Sequence, residues 1–110
     1  MEEFSAKTQA IIDTVKKANP HLETVLVSCM NPNPRVGWDN MQKYQGAALR
    51  ELADLPQNRD NCALVDFYAV HKSILQYKTF ASTTGNNINH PNDWLIRVYA
   101  QNILEAIAEQ

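Results

Sequence analysis

Apolar residues recur at helical spacing in the first half of the chain, within two segments bounded by residues that start or stop helices. The first helix is predicted over residues 3–18 and ends before Pro20, because the residue that precedes a proline is displaced from the helical region. The second begins at Asp39, which forms a capping-box pattern with Gln42, and it ends at Pro56. These boundaries predict two amphipathic helices.

Two short apolar runs, residues 24–29 and 63–67, alternate with these helices. Their hydrophobic residues are continuous, which is typical of strands covered on both faces. A short helix is predicted over about 68–76, and a last helix begins at Asn92 or Asp93. This order of elements predicts a parallel sheet with helices on both faces and right-handed crossovers.

A sheet of only two parallel strands is expected to be incomplete. Both of its edges are open, and two strands cannot bury two layers of helices well. Residues 1–110 are therefore predicted to form a single α/β unit that is part of a doubly wound, three-layer domain, with N-terminal strands missing from this sequence. Another chain, or another copy of this one, would complete the sheet.

Composition excludes two kinds of partner. The net charge is −2 and the ten Lys and Arg residues are scattered, which argues against a nucleic-acid surface. No window approaches the ~20 apolar residues of a membrane span, and residues 1–18 lack the apolar core of a signal peptide. We therefore expect a soluble protein that binds neither nucleic acid nor membrane, in a compartment that the sequence leaves open.

The histidines and cysteines predict neither a metal site nor a cofactor. The three histidines share no metal-ligand spacing, and Cys29 and Cys62 form no Cys-x-x-Cys pair. If the two apolar runs are neighbouring parallel strands, the cysteines lie at opposite ends of them, roughly 16 Å apart. The limit between the Cα atoms of a disulfide is ~7 Å. Two buried free thiols are therefore expected.

A polar loop ahead of the last helix holds the main candidate for chemistry. Its sequence, GNNINHPNDW over residues 85–94, surrounds His90 with hydrogen-bonding side chains. Histidine is the side chain whose unperturbed titration lies closest to neutral pH, so this placement suits proton transfer.

Three segments together resemble one enzyme family. They are, in chain order, NPHLETVLVSCMNPNP, CALVDFYAV and GNNINHPNDWLIRVYAQNI. With them the chain resembles the C-terminal half of an SGNH/GDSL-type ester hydrolase, a lipase and acylhydrolase family. The resemblance implies a flavodoxin-like fold without a cofactor. It also implies attack by a serine on an acyl ester, of an acetylated carbohydrate or a lipid, with His90 as the general base.

The chain departs from the family pattern in two ways. The family's nucleophile lies in a Gly-Asp-Ser block that this sequence lacks, so the chain alone is predicted to be inactive. The family's aspartate three residues before the histidine is replaced by Asn87, and Asn86 precedes it. An amide can orient the ring but cannot stabilise the imidazolium, so His90 belongs to either a triad or a dyad. By position, Asn31 and Asn33 are candidates to line the substrate groove.

Other polar residues have structural interpretations. We expect His71 to be exposed in the first turn of the short helix, Asp66 to bind neighbouring backbone groups, and Trp94 to pack against the loop of His90. The loop after the first run, SCMNPNPRVG, has prolines instead of clustered glycines, which disfavours a phosphate-binding domain. The alternative function is a non-catalytic interaction module that self-associates through open sheet edges.

Overall fold

The fold is given by a computed structural model that describes residues 2–37 and 39–108. Its helices and strands are, in chain order, α1 (Glu2–Ala18), β1 (Thr24–Val27), α2 (Asp39–Asp54), β2 (Cys62–Val65), α3 (Phe67–Ile74) and α4 (Asp93–Ala108). Short 3-10 turns at Pro34–Val36 and Phe80–Ser82 lie in the loops after β1 and α3. Every predicted helix and strand is present, with each boundary within two residues of the prediction.

The predicted parallel pairing of the two strands is confirmed. β1 and β2 pair in register from Thr24 opposite Cys62 to Val27 opposite Val65, and α2 is the crossover between them. This register separates the two cysteines, and both are free thiols. The prediction that Cys29 is buried is wrong. β1 ends at Val27, so Cys29 lies exposed in the following loop, where its N–H donates to the Oε1 atom of Gln45.

Helices cover both faces of the sheet. Side chains alternate between the two faces of a strand. On one face Val25, Val27 and Val65 pack into the main core, which includes Leu95 of α4. On the opposite face α2 lies close enough that Gly46 faces the side chains just beyond the strands, and α1 packs on α2. The molecule is therefore an α/β structure with helix, sheet and helix in successive layers.

The strands are less buried than their continuous apolar sequences predict. Among the residues of both strands only Val65 is buried, and the others are half-buried. Neither strand has a second neighbouring strand within the described residues. The predicted coverage of both faces by helices is present, and the strands stay half-buried because complete burial also requires a neighbouring strand on each edge.

Two of the predicted helix boundaries have a direct structural explanation. α1 ends at Ala18, just before Asn19-Pro20. Asn92 caps α4, since its Oδ1 atom accepts the N–H of Leu95 at 2.9 Å. The predicted capping box of α2 depends on the side chain of Asp39, which lies outside the described residues. Across the described ranges, no helix combines the length and apolar character needed to cross a membrane.

Candidate functional site

The candidate site is built on residues 84–91, which we name the histidine loop. An antiparallel bridge pairs Thr84 with Pro91 at its base. The carbonyl oxygen of His90 accepts two hydrogen bonds across this base, from the N–H of Gly85 and the hydroxyl of Thr84, each at 2.8 Å. The bridge closes the loop on itself immediately before α4, so His90 is held at a defined position rather than on a free segment.

Asn86 organises the interior of the loop. Its Oδ1 atom accepts the backbone N–H groups of Ile88, Asn89 and His90 at 2.9–3.0 Å. Three donors on one oxygen fix the orientation of the amide, so its Nδ2 atom points at the His90 ring. Asn87 follows with a φ of 59°, a left-handed conformation that asparagine adopts more readily than most residues. Polar residues at these positions therefore form the turn that carries His90.

Two amides bracket the Nδ1 atom of the exposed His90 ring. The Nδ2 atom of Asn86 lies 2.8 Å from it, and the Oδ1 atom of Asn89 lies 2.7 Å from it. A ring protonated on Nδ1 donates to Asn89, whereas a ring with a bare Nδ1 accepts from Asn86. The Nε2 atom has no hydrogen-bond partner among the described residues. The site thus holds the ring through one nitrogen and leaves the other available.

Asn86, Asn87 and Asn89 play different parts around the ring. Asn86, a predicted orienting residue, contacts the ring as a donor. Asn87, the other predicted one, instead uses its backbone, donating its N–H to the Thr84 hydroxyl and accepting the side chain of Asn33 at its carbonyl. Asn89 supplies the acceptor and was not predicted. Its position directly before the histidine was the available signal, since adjacent residues in a tight turn can bring their side chains together.

The histidine loop is attached to the loop that leaves β1, residues 28–33, which we name the exit loop. The N–H of Asn33 donates to the carbonyl of Ile88 at 2.7 Å, and its Nδ2 atom donates to the carbonyl of Asn87 at 2.9 Å. The exit loop begins at the carboxyl end of a parallel strand. His90 therefore lies at the edge of the sheet where α/β proteins usually bind ligands.

Every N–H of the exit loop is hydrogen-bonded within the protein. The acceptors, from Ser28 to Asn33, are the carbonyl of Val65, Oε1 of Gln45, the hydroxyl of Tyr99, Nδ1 of His71 and the carbonyl of Ile88, while Pro32 has no N–H. These acceptors come from β2, α2, α4, α3 and the histidine loop in turn. The loop is thus a junction of the fold, and in this arrangement it has no free backbone N–H group to offer to an anion.

The predicted groove residues are part of this junction. Asn31 is only 7% exposed, and its Nδ2 atom donates to the carbonyl of Tyr68 at 2.8 Å. Asn33 is half-buried and binds the histidine loop, and its Oδ1 atom accepts the N–H of Arg35 to begin the 3-10 turn. Both residues lie in the loop at the carboxyl edge of the sheet, and both side chains are hydrogen-bonded to structural partners.

His71 is buried, so the prediction that it is exposed is wrong. Its side chain is 0% exposed and its ring lies near those of Phe67 and Phe80. Burial lowers the pKa of His71 to about 4. The sequence did contain a signal, because His71 lies four residues after Phe67 and three before Ile74, on the apolar stripe of α3.

Ser28, which is buried, and Asp66, which is half-buried, form a structural pair. The hydroxyl of Ser28 donates to Oδ1 of Asp66 at 3.2 Å and accepts the N–H of Tyr68 at 3.0 Å. Asp66 also caps α3 and pairs with Arg50, which confirms the expectation that it binds neighbouring backbone. Within the described chain no serine hydroxyl is hydrogen-bonded to His90. Ser28 is committed to the fold and is 1% exposed.

Two surface cavities have no residue of the histidine loop in their lining. One of about 340 Å³ lies beside α1 and α2 and is lined by Phe4, Cys29, Met41 and Tyr44 among others. Another of about 520 Å³ lies at the amino end of β2.

Over residues 2–37 and 39–108 no three His, Cys, Asp or Glu side chains are grouped to hold a metal ion. Trp94 is 40% exposed, and the Lys78 ammonium lies 4.4 Å from the centre of its ring.

Comparison with known proteins assigns no relationship. No protein-family model matches the chain, and searches of curated proteins and of solved structures find no significant match.

Proposed function

We propose that the chain forms part of a serine ester hydrolase with a flavodoxin-like domain, and that His90 is its general base. The observation that carries the proposal is the geometry of the His90 ring. Nδ1 is bracketed by Asn86 and Asn89, while Nε2 is unpartnered within the described chain, at the carboxyl edge of a parallel sheet. A general base needs this combination of a fixed ring and an accessible nitrogen.

The proposed chemistry uses the tautomer that Asn89 favours. A proton on Nδ1 is donated to Oδ1 of Asn89, which leaves the lone pair of Nε2 to remove the proton of an attacking serine hydroxyl. The histidine then returns this proton to the leaving alcohol, and it next activates the water that hydrolyses the acyl-enzyme. The serine and the oxyanion donors belong to a segment that supplies the remaining strands. The half-buried strands β1 and β2 support the need for such a segment.

Asn86 and Asn89 act in opposite directions on this chemistry. The Asn86 amide donates to Nδ1 and so stabilises the tautomer with its proton on Nε2. In that tautomer Nε2 has no lone pair available and cannot remove a proton from the serine. Replacing Asn89 by Asp would introduce a carboxylate acceptor and favour the active tautomer. Asn89→Ala would leave only the Asn86 donor at Nδ1 and so favour the tautomer with its proton on Nε2. ¹⁵N NMR of the imidazole measures the tautomer directly in the 110-residue chain.

Ester hydrolysis is the test of function. We would compare the 110-residue chain with the complete product of the reading frame that encodes it, using p-nitrophenyl acetate. The complete product is expected to hydrolyse the ester and to lose at least about 10³-fold in kcat on His90→Ala. His21→Ala is the matched control, because His21 is exposed on the turn after α1, away from the site. An inert complete product, or one indifferent to His90→Ala, would refute the proposal.

Self-association of the chain is the second candidate, because both strands have an open edge within the described residues. α4 also carries Ile96, Leu104 and Ile107 along one side, and each is at least half exposed. We propose a second copy of this chain as the partner. Light scattering should detect a dimer that Leu104→Glu disrupts, whereas Gln101→Glu, which adds the same charge elsewhere on α4, should preserve it. A monomer at high concentration would exclude this candidate.

A further inference from the structure

The buried ring of His71 joins the two loops that form the candidate site. Its Nδ1 atom lies 2.9 Å from the backbone nitrogen of Asn31 in the exit loop. Its Nε2 atom lies 3.0 Å from the hydroxyl oxygen of Thr83, the residue before the histidine loop. Both His71 and Thr83 are 0% exposed. Neither residue has a part in the proposed chemistry, but together they connect the exit loop to the start of the histidine loop.

The hydrogen bonds around His71 fix its protonation state. A backbone N–H can only donate, so Nδ1 must be the acceptor for Asn31. The Thr83 hydroxyl donates its single proton to the carbonyl of Phe80 at 2.8 Å, so its oxygen must accept from Nε2. One ring state satisfies all of these contacts, the neutral imidazole with its proton on Nε2.

Thr83 connects the His71 ring to the histidine loop. Its carbonyl accepts the N–H of Asn92, the residue that caps α4, at 3.0 Å. The next residue, Thr84, forms the base of the loop through its bridge to Pro91 and its hydrogen bond to the carbonyl of His90. The path from the His71 ring to the His90 backbone therefore consists of one side-chain hydrogen bond, one peptide unit and one further hydrogen bond.

We propose that His71 is a positioning residue for His90, acting as a neutral donor and acceptor that fastens the start of the histidine loop to the exit loop. This inference rests on the proposed function only in taking His90 as the base. Loss of the link to Thr83 should loosen the histidine loop while leaving the sheet intact. The position of Nε2 of His90 would then vary, which lowers the rate of proton transfer without removing a group that touches substrate.

The test uses a matched pair of variants at Thr83. Thr83→Val keeps the branched shape and removes the hydroxyl, whereas Thr83→Ser keeps the hydroxyl. Amide exchange by NMR is followed at Asn33 and Gly85, whose N–H groups bind the histidine loop, and at Thr24, which binds Asn61 at the far end of the sheet. Thr83→Val removes the hydroxyl that binds both His71 and the carbonyl of Phe80, so it should accelerate exchange at the two loop sites by about fivefold or more and leave Thr24 unchanged.

Two results of the exchange experiment would overturn the inference. Equal acceleration at all three amides would show that the hydrogen bond between His71 and Thr83 stabilises the whole fold rather than the loop. No acceleration would show that this hydrogen bond does not hold the histidine loop in place. Thr83→Ser should match the unmodified chain. A second measurement needs no substitution, since ¹⁵N NMR of the His71 ring at neutral pH must give the tautomer protonated on Nε2. A ring protonated on Nδ1 would contradict the inference even if Thr83→Val fails to fold.

The same variants separate this inference from the proposed function. In the complete reading-frame product, Thr83→Val should lower kcat and leave KM unchanged, and Thr83→Ser should restore kcat. Unchanged kcat together with a loosened loop would refute the positioning role while ester hydrolysis stands. An inert product together with a loosened loop would refute the hydrolase while the link between His71 and the histidine loop stands.

Discussion

Acidification is expected to destabilise the protein through His71. The groups that face its ring are neutral: the N–H of Asn31 from the exit loop, the Thr83 hydroxyl, and the rings of Phe67 and Phe80. Protonation would place a proton on Nδ1 against the Asn31 N–H and a charge in a site without a compensating anion among these groups. Burial therefore lowers the pKa of His71 from 6.5 to about 4 in the folded protein.

The sign and size of the effect follow from linkage. Between pH 6.5 and about 4 the unfolded chain binds a proton that the folded chain does not, so the free energy of unfolding falls as the pH falls. The stabilising contribution is fully present above pH 6.5. At about 1.4 kcal/mol per pKa unit, the shift corresponds to a loss of roughly 2 kcal/mol between pH 7.5 and pH 5, and roughly 3 kcal/mol at pH 4.

Urea unfolding at pH 7.5 and pH 5 measures this difference. Stopping at pH 5 keeps carboxyl groups of ordinary pKa largely ionised, so their contribution stays small. His71→Gln should be less stable at pH 7.5 and should lose most of the difference between the two pH values. His21→Gln changes an exposed histidine and should retain it. Equal stability of the unmodified chain at both pH values, or a His71 ring that titrates near pH 6.5 by NMR, would contradict this prediction.

Substitutions at three further positions test local contacts through their effect on stability. Tyr99→Phe removes the acceptor of the Met30 N–H, which lies 2.6 Å from the hydroxyl, and should cost about 1–3 kcal/mol in urea melts; an unchanged value would mean that water replaces the hydroxyl. Asn92→Ala removes the cap on the N–H of Leu95 and should cost about 1 kcal/mol, whereas Asn92→Asp should preserve it. Asn87→Val should cost about 1–2 kcal/mol because of its positive φ, and Asn87→Gly should be tolerated; equal thermal midpoints for these two variants would contradict the left-handed conformation.

The secondary structure was largely predictable because its signals are local. Pro20 and Pro56 exclude helix at their own positions, and Asn92 caps the helix that follows it. The order of strand, helix and strand predicts the parallel pairing, which the register confirms. The extent of strand burial was less predictable, because a continuous apolar sequence indicates coverage of both faces but not the number of neighbouring strands. Within the described chain each strand has only one.

The candidate site was only partly predictable. Its location was evident, since asparagines clustered around a histidine are visible in the sequence. The contacts were not, because which amide reaches Nδ1 depends on the turn. Asn86 is occupied by three backbone donors and Asn89 supplies the acceptor. The exposure of Cys29 was also not predictable, because β1 ends two residues earlier than predicted and leaves Cys29 in the following loop.

The sequence by itself determined an α/β unit, the ends of its helices, the parallel order of its strands and the loop that presents His90. These features arise from residues close together in the chain, where backbone sterics and capping act directly. Only the tertiary structure determined that His71 is buried and neutral. It also determined that each backbone N–H of the exit loop has its acceptor on a different element of the fold. Those contacts join residues as many as 69 positions apart, so packing of the whole chain decides them.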